Sequence, residues 1–176
     1  LGIVGALSAQ IFMLLLHASE HFFCTGIAHY IPPGLHEEVG VLRQQIGQYG
    51  LWMIPVVTTL GGLISGVLVF SLAPEAEGHG TDAAVKAFHQ SGGFIRARVP
   101  VLKMLASAIT IGSGGSAGRE GPTALVSAGF GSVYASVTHR SDEDRRLLVL
   151  IGMAAGLSAI FRSPIGCAVF AVEVLY

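Results

Sequence analysis

Residues 118–122 read Gly-Arg-Glu-Gly-Pro, at the end of a glycine-rich and otherwise uncharged run that starts at Gly112. A new apolar helix is expected straight after Pro122, because proline suits a first helical turn, where its missing N–H has no partner to lose. The free N–H groups of that turn, with the positive end of the helix dipole, form an anion site. The Glu120 carboxylate is placed to fill that site and to be displaced from it by a dissolved anion. The chemistry this predicts is a gated anion pathway.

A second turn has the same character. Gly78-His79-Gly80-Thr81-Asp82 opens a short helix, so it too can aim backbone N–H groups at one anion. Irregular backbone at membrane depth is tolerated only where protein buries it or it lines a cavity. A glutamate inside such a stretch is costly, which makes it a functional candidate. The plainer alternative is a surface turn at 112–121 with Arg119 and Glu120 solvated. It suits the glycines better than it suits a glutamate followed by Gly-Pro and 16 uncharged residues.

Two other patterns carry possible chemistry. His17-Ala18-Ser19-Glu20-His21 fits the H-x-x-E-H pattern of inverted zinc peptidases, with His17 and His21 on one helical face and Glu20 beside them. No third ligand stands out downstream, and the polar end of a membrane helix explains the same residues. Gly112-Ser113-Gly114-Gly115-Ser116-Ala117 nominally fits G-x-G-x-x-A, but no Gly-Lys-Ser/Thr follows and Glu120 would repel a phosphate. A nucleotide site is rejected. Lys103 and Arg162 lie within or at the ends of apolar segments. For Lys103 an electrostatic role toward anions and a structural one stand level; for Arg162 the structural one is preferred.

These residues need a scaffold, and the composition specifies its kind. The chain is 52% hydrophobic and 12% charged with mean hydropathy +0.66, against roughly 25% charged residues in soluble domains. Residues 51–73 run 23 positions without a charge, enough to cross a hydrocarbon core of about 30 Å. Residues 1–16 are a second candidate span; without a charged leading region or an A-x-A cleavage site they read poorly as a signal peptide. Cys24 and Cys167 have no CxxC spacing, which implies neither a disulfide framework nor a cysteine metal site. A formal charge of −1 argues against a nucleic-acid partner. The chain opens on Leu1 and stops at Tyr176 in mid-pattern, so it is expected to be part of something larger.

Along the chain, helix one runs from residue 1 to about Tyr30, ended by Pro32-Pro33-Gly34. Residues 31–49 form a polar connection, and the long span 51–73 ends at Pro74-Glu75-Ala76-Glu77. A short amphipathic helix follows to Gln90, with Thr81 or Asp82 as its N-cap. Arg96 and Arg98 mark an interface before Pro100 opens an apolar segment to Ile111. After the break at 112–121 come a helix of about 17 residues to Thr138, a water-facing loop at 139–146, a helix at 147–161, and a last one from Ile165 after Arg162-Ser163-Pro164. Several pieces are only 10–18 residues long, as in the discontinuous helices of transporters. The expected class is an all-α integral membrane protein with tilted, broken helices.

GREGP in this setting resembles the second signature of the CLC chloride channel and transporter family. Gly78-His79-Gly80-Thr81-Asp82 sits where that family's GSGIP anion motif falls. Val101-Leu102-Lys103 is similar to its P-V-K stretch, 17 residues before the glutamate. The run 152–176 is similar to its G-A-A-A-G and F-x-x-P helices. The resemblance implies a homodimer in the plasma membrane that needs no cofactor, with one chloride or similar small-anion pathway per subunit. It implies that residues 1–176 are the first half of a fold built from two halves of opposite topology, the second half being absent.

By the same resemblance Glu120 is the gating glutamate, filling the outer anion site when charged and swinging aside when protonated. Gly78, His79, Gly80, Thr81, Gly118, Arg119, Gly121 and Pro122 become the anion-binding positions. Two departures stand out. Position 79 is histidine where the family usually has serine, which suggests pH-sensitive conduction. Val174, after Glu173, occupies the place of the internal proton-transferring glutamate, and valine cannot relay a proton. The expected function is therefore a voltage- or proton-gated anion channel, with a chloride/proton antiporter as the alternative. A membrane zinc peptidase using His17, Glu20 and His21, and a noncatalytic scaffold, are the rivals of other classes.

Overall fold

The computed structural model describes residues 2–29 and 52–176. Every regular element among them is helical. The order is α1 (Gly2–Glu20), a π-helical stretch (His21–Ile27), α2 (Met53–Leu72), a 3-10 turn (Pro74–Ala76), α3 (Thr81–Gln90), α4 (Arg98–Gly112), α5 (Glu120–Val137), α6 (Asp142–Phe161) and α7 (Pro164–Leu175). The connection expected at 31–49 lies outside the described residues.

Helix α5 is the hub. It is buried along most of its length, with α6 as its most extensive neighbour and α1, α3 and α4 also against it. A methyl group added at Gly152 would run into the Ser127 carbonyl, and one at Gly131 into that of Leu148. Side chains of one hydrogen atom therefore let α5 and α6 pack backbone to backbone, a common device in membrane proteins, where close contact replaces hydrophobic driving force. The main core joins Leu125 of α5 to Phe88, Val99, Val149, Met153, Leu157 and Leu175.

Helix α2 has the opposite character. It buries Val57, Gly61 and Ser65 toward α4 and leaves Leu60, Leu63, Val67 and Phe70 exposed. Thr58 Oγ1 donates to the Ser113 carbonyl at 2.9 Å and Ser65 Oγ to that of Ala106 at 3.1 Å, tying α2 to α4. Gly2–Ile27 and Met53–Leu72 are each long and apolar enough to cross a membrane.

Four local expectations need correction. The cap of α3 is Gly80, at φ 113°, and neither Thr81 nor Asp82 caps it, because both are already helical. Helix α5 starts at Glu120, ahead of Pro122, since proline is accepted anywhere in the first turn, where no intrahelical N–H bond is lost. Most of the expected loop 139–146 is the first turn of α6: Ser141 caps it, accepting from the Asp144 N–H at 3.2 Å, and three acids sit at its positive end. Helix one is a regular α-helix only to Glu20, and then widens into the π-helical stretch.

Candidate functional site

The two glycine-flanked turns meet. Gly78 and Gly80 have φ of 79° and 113°, a region L side chains avoid, and this brings the chain around His79. A methyl group on Gly80 would lie 2.6 Å from the Gly121 carbonyl oxygen. One on Gly121 would overlap the His79 carbonyl and imidazole. The start of α3 is thus seated on the start of α5, with glycine at both points of contact.

At the head of α5, Thr123 makes the first helical bond, its N–H donating to the Arg119 carbonyl at 3.2 Å. Pro122 has no N–H. The N–H groups of Glu120 and Gly121 find no acceptor among the described residues. The Glu120 carboxylate folds back against Gly118, where a methyl group would strike it. The Glu120 carboxylate thus lies against the glycine-rich turn that leads into α5.

A third helix end joins them, and nothing in the sequence reading anticipates it. Arg162 adopts the left-handed conformation at φ 54° and closes α6; Ser163 and Pro164 then start α7. A cavity of about 390 Å³ is bordered by His79 and Thr81 of the first turn, Glu120 and Gly121 of the second, and Ser163 and Gly166 of the third. Its remaining wall is apolar: Leu157, Phe161, Cys167 and Phe170. Three positive helix ends facing one cavity, with a single carboxylate there, favour an anion. His79 Nδ1 and Thr81 Oγ1 share a hydrogen bond of 3.2 Å, which fixes the imidazole beside the start of α3.

Lys103 resolves into a definite role. It is only 6% exposed, and its Nζ donates to the Ala76 carbonyl at 3.0 Å and the Gly78 carbonyl at 2.6 Å. The ammonium thus pins the turn that carries His79, and no acid pairs with it among the described residues. Lys103→Met is expected to leave two inward carbonyls without a donor and to cost about 2–4 kcal/mol of stability, read as a lowered melting temperature in detergent.

Other candidates are placed elsewhere. The Arg119 side chain turns away, its Nη1 contacting Met13 Sδ at 3.4 Å, so only its backbone belongs to the site. Asp82, in the first turn of α3, lines a separate cavity with Lys86 and Arg96. Arg96 itself pairs with Glu75 at 2.8 Å. His17 Nδ1 and Glu20 Oε2 are 3.9 Å apart, but the π-helical stretch changes the register of His21, which does not line the cavity that His17 and Glu20 share. No group of three or more metal-ligating side chains occurs among the described residues. Val174 packs half-buried against the main core, and Glu173 beside it is exposed.

Residues 61–176, which hold all three helix ends, match the family described as voltage gated chloride channel. The chain belongs to that family. It is 32% identical over 129 residues to a protein of Ralstonia nicotianae named as a ClcB-like chloride channel protein. It is 33% identical over 133 residues to proteins of Salmonella arizonae and Salmonella newport named H(+)/Cl(-) exchange transporter ClcA. These alignments cover 71% and 73% of this chain but only 30% and 28% of those relatives. Membership makes the chain an integral membrane protein, and Gly2–Ile27 and Met53–Leu72 are the helices long and apolar enough to span. His17, Glu20 and His21 fall outside the matched residues.

Proposed function

We propose that the full-length protein is an anion channel, passing chloride or a similar small anion with Glu120 as its gate. The observation that carries this reading is the meeting of three helix N-termini around Glu120, with the buried Lys103 ammonium behind the first of them. When charged, the carboxylate is drawn to the positive end of α5 and competes there with a dissolved anion for the free N–H groups of Glu120 and Gly121. When protonated it has less to gain there, and an anion takes its place. A charge that moves within the membrane field also makes opening voltage-sensitive. His79 adds an imidazole hydrogen-bonding group to the same cavity. A homodimer in the plasma membrane, with one pathway per subunit, completes the proposal.

Passive conduction is favoured because Val174 is an apolar residue packed into the core at the place where a proton relay would be needed. The alternative is anion/proton exchange, supported by the names of the Salmonella relatives and by the exposed Glu173 next door. One experiment separates them. In vesicles holding the full-length protein, an imposed chloride gradient is expected to drive no protons uphill; uphill proton movement would establish exchange. The scaffold and peptidase rivals predict that Glu120→Ala leaves anion flux untouched.

A further inference from the structure

A second cavity, of about 510 Å³, lies between α2, α4 and the two glycine-rich turns. Its lining includes Glu77 and His79 of the first turn and Gly118 and Pro122 of the second, the last two flanking Glu120 in sequence. Lys103 and Ser107 line it together, four residues apart and so on one face of α4.

Their hydrogen bonds are unevenly used. An ammonium has three N–H donors; two go to the carbonyls of Ala76 and Gly78, which leaves one. Ser107 is 8% exposed, and its hydroxyl has no partner among the described residues. The other hydroxyls nearby are committed: Thr110 Oγ1 lies within hydrogen-bonding reach of Ser65 Oγ at 2.8 Å and of the Ala106 carbonyl at 2.9 Å, and Ser65 donates to that carbonyl at 3.1 Å. The Ser107 hydroxyl oxygen is not fully enclosed and opens onto the cavity, and a buried cation normally has a counter-charge. Glu77, the exposed acid lining this cavity, forms no ion pair with Lys103.

We propose that Lys103 and Ser107 form a small-anion site in this cavity, distinct from the helix-end site at Glu120 and feeding it. The inference rests on the conducting reading above. Chloride placed there accepts from the Ser107 hydroxyl and the third ammonium N–H, and supplies the charge that Lys103 lacks. Ser107, whose removal leaves the turn at Ala76–Gly78 anchored, is the residue to test.

Chloride flux into vesicles holding the full-length protein is measured against chloride concentration. Ser107→Ala is expected to raise the half-saturating concentration about tenfold, the size of one hydrogen bond to a charged group, with the pH dependence of flux retained. Ser107→Thr, which keeps the hydroxyl, is expected to restore it to near the starting value. Equal half-saturation in all three proteins, or equal impairment of both variants, would overturn the site. Independently of any variant, bromide soaked into crystals is expected beside Ser107 Oγ and Lys103 Nζ; its absence there overturns the proposal. Vesicles in which the unaltered protein carries no chloride at all would contradict the conducting function itself.

Discussion

Glu120→Gln is expected to raise anion flux at neutral pH and to remove its dependence on pH. In the unaltered protein, flux should rise as pH falls, because protonation neutralises the carboxylate and removes its attraction to the positive end of α5, leaving the N–H groups of Glu120 and Gly121 to the anion. Glutamine copies the neutral form at every pH. A helix end in a partly buried setting holds a carboxylate by up to about 2 kcal/mol, which corresponds to up to about thirtyfold in anion occupancy. The measurement is chloride efflux from vesicles between acid and neutral pH. A variant whose flux equals that of the unaltered protein and still responds to pH would remove Glu120 from the gate.

Gly80→Ala should have the largest effect on folding. An alanine there must hold φ near 113°, at a cost of about 1–3 kcal/mol. Its methyl group would also lie 2.6 Å from the Gly121 carbonyl, and overpacking of that kind costs about 1–3 kcal/mol more. The sum, about 2–6 kcal/mol, is a large fraction of the whole stability of many domains, about 5–15 kcal/mol. Gly62→Ala is the control: a methyl group at Gly62, inside α2, meets open space, and alanine in a helix gains up to about 1 kcal/mol. Melting in detergent should therefore fall steeply for the first variant and hold or rise for the second. Similar melting of the two would mean that the turns do not meet as described.

The broken helical architecture is legible in the sequence because its determinants are local. Twenty-three uncharged positions before Pro74 specify a span, and Gly112–Gly118 and Ser163-Pro164 specify breaks. Helix starts are read less well where hydrophilicity is mistaken for loop. Ser141 followed by Asp142, Glu143 and Asp144 is a cap and an acidic first turn, yet as a charged run it looks like a connection. Gly80 caps α3 although Thr81 and Asp82 have the better capping side chains, because the chain must turn there with positive φ. The π-helical register after Glu20 has no local cue at all.

The site divides along the same line. Glu120 and the turn around His79 are visible from residue types alone. The seating of Gly80 on Gly121, the arrival of α7 and the carbonyl partners of Lys103 are products of tertiary packing, the Lys103 contacts joining residues 25 and 27 positions apart. Ser107 is one serine in an apolar helix until Lys103 is seen beside it with a donor to spare.

The central claim is that the Glu120 carboxylate and a dissolved anion compete for the head of α5. Anomalous diffraction from bromide in crystals of the full-length protein at neutral pH tests it most directly. With Glu120→Gln, bromide should appear within hydrogen-bonding reach of the N–H groups at 120 and 121, where the unaltered protein shows little or none. Equal bromide density there in both proteins, or none in either, would contradict the account.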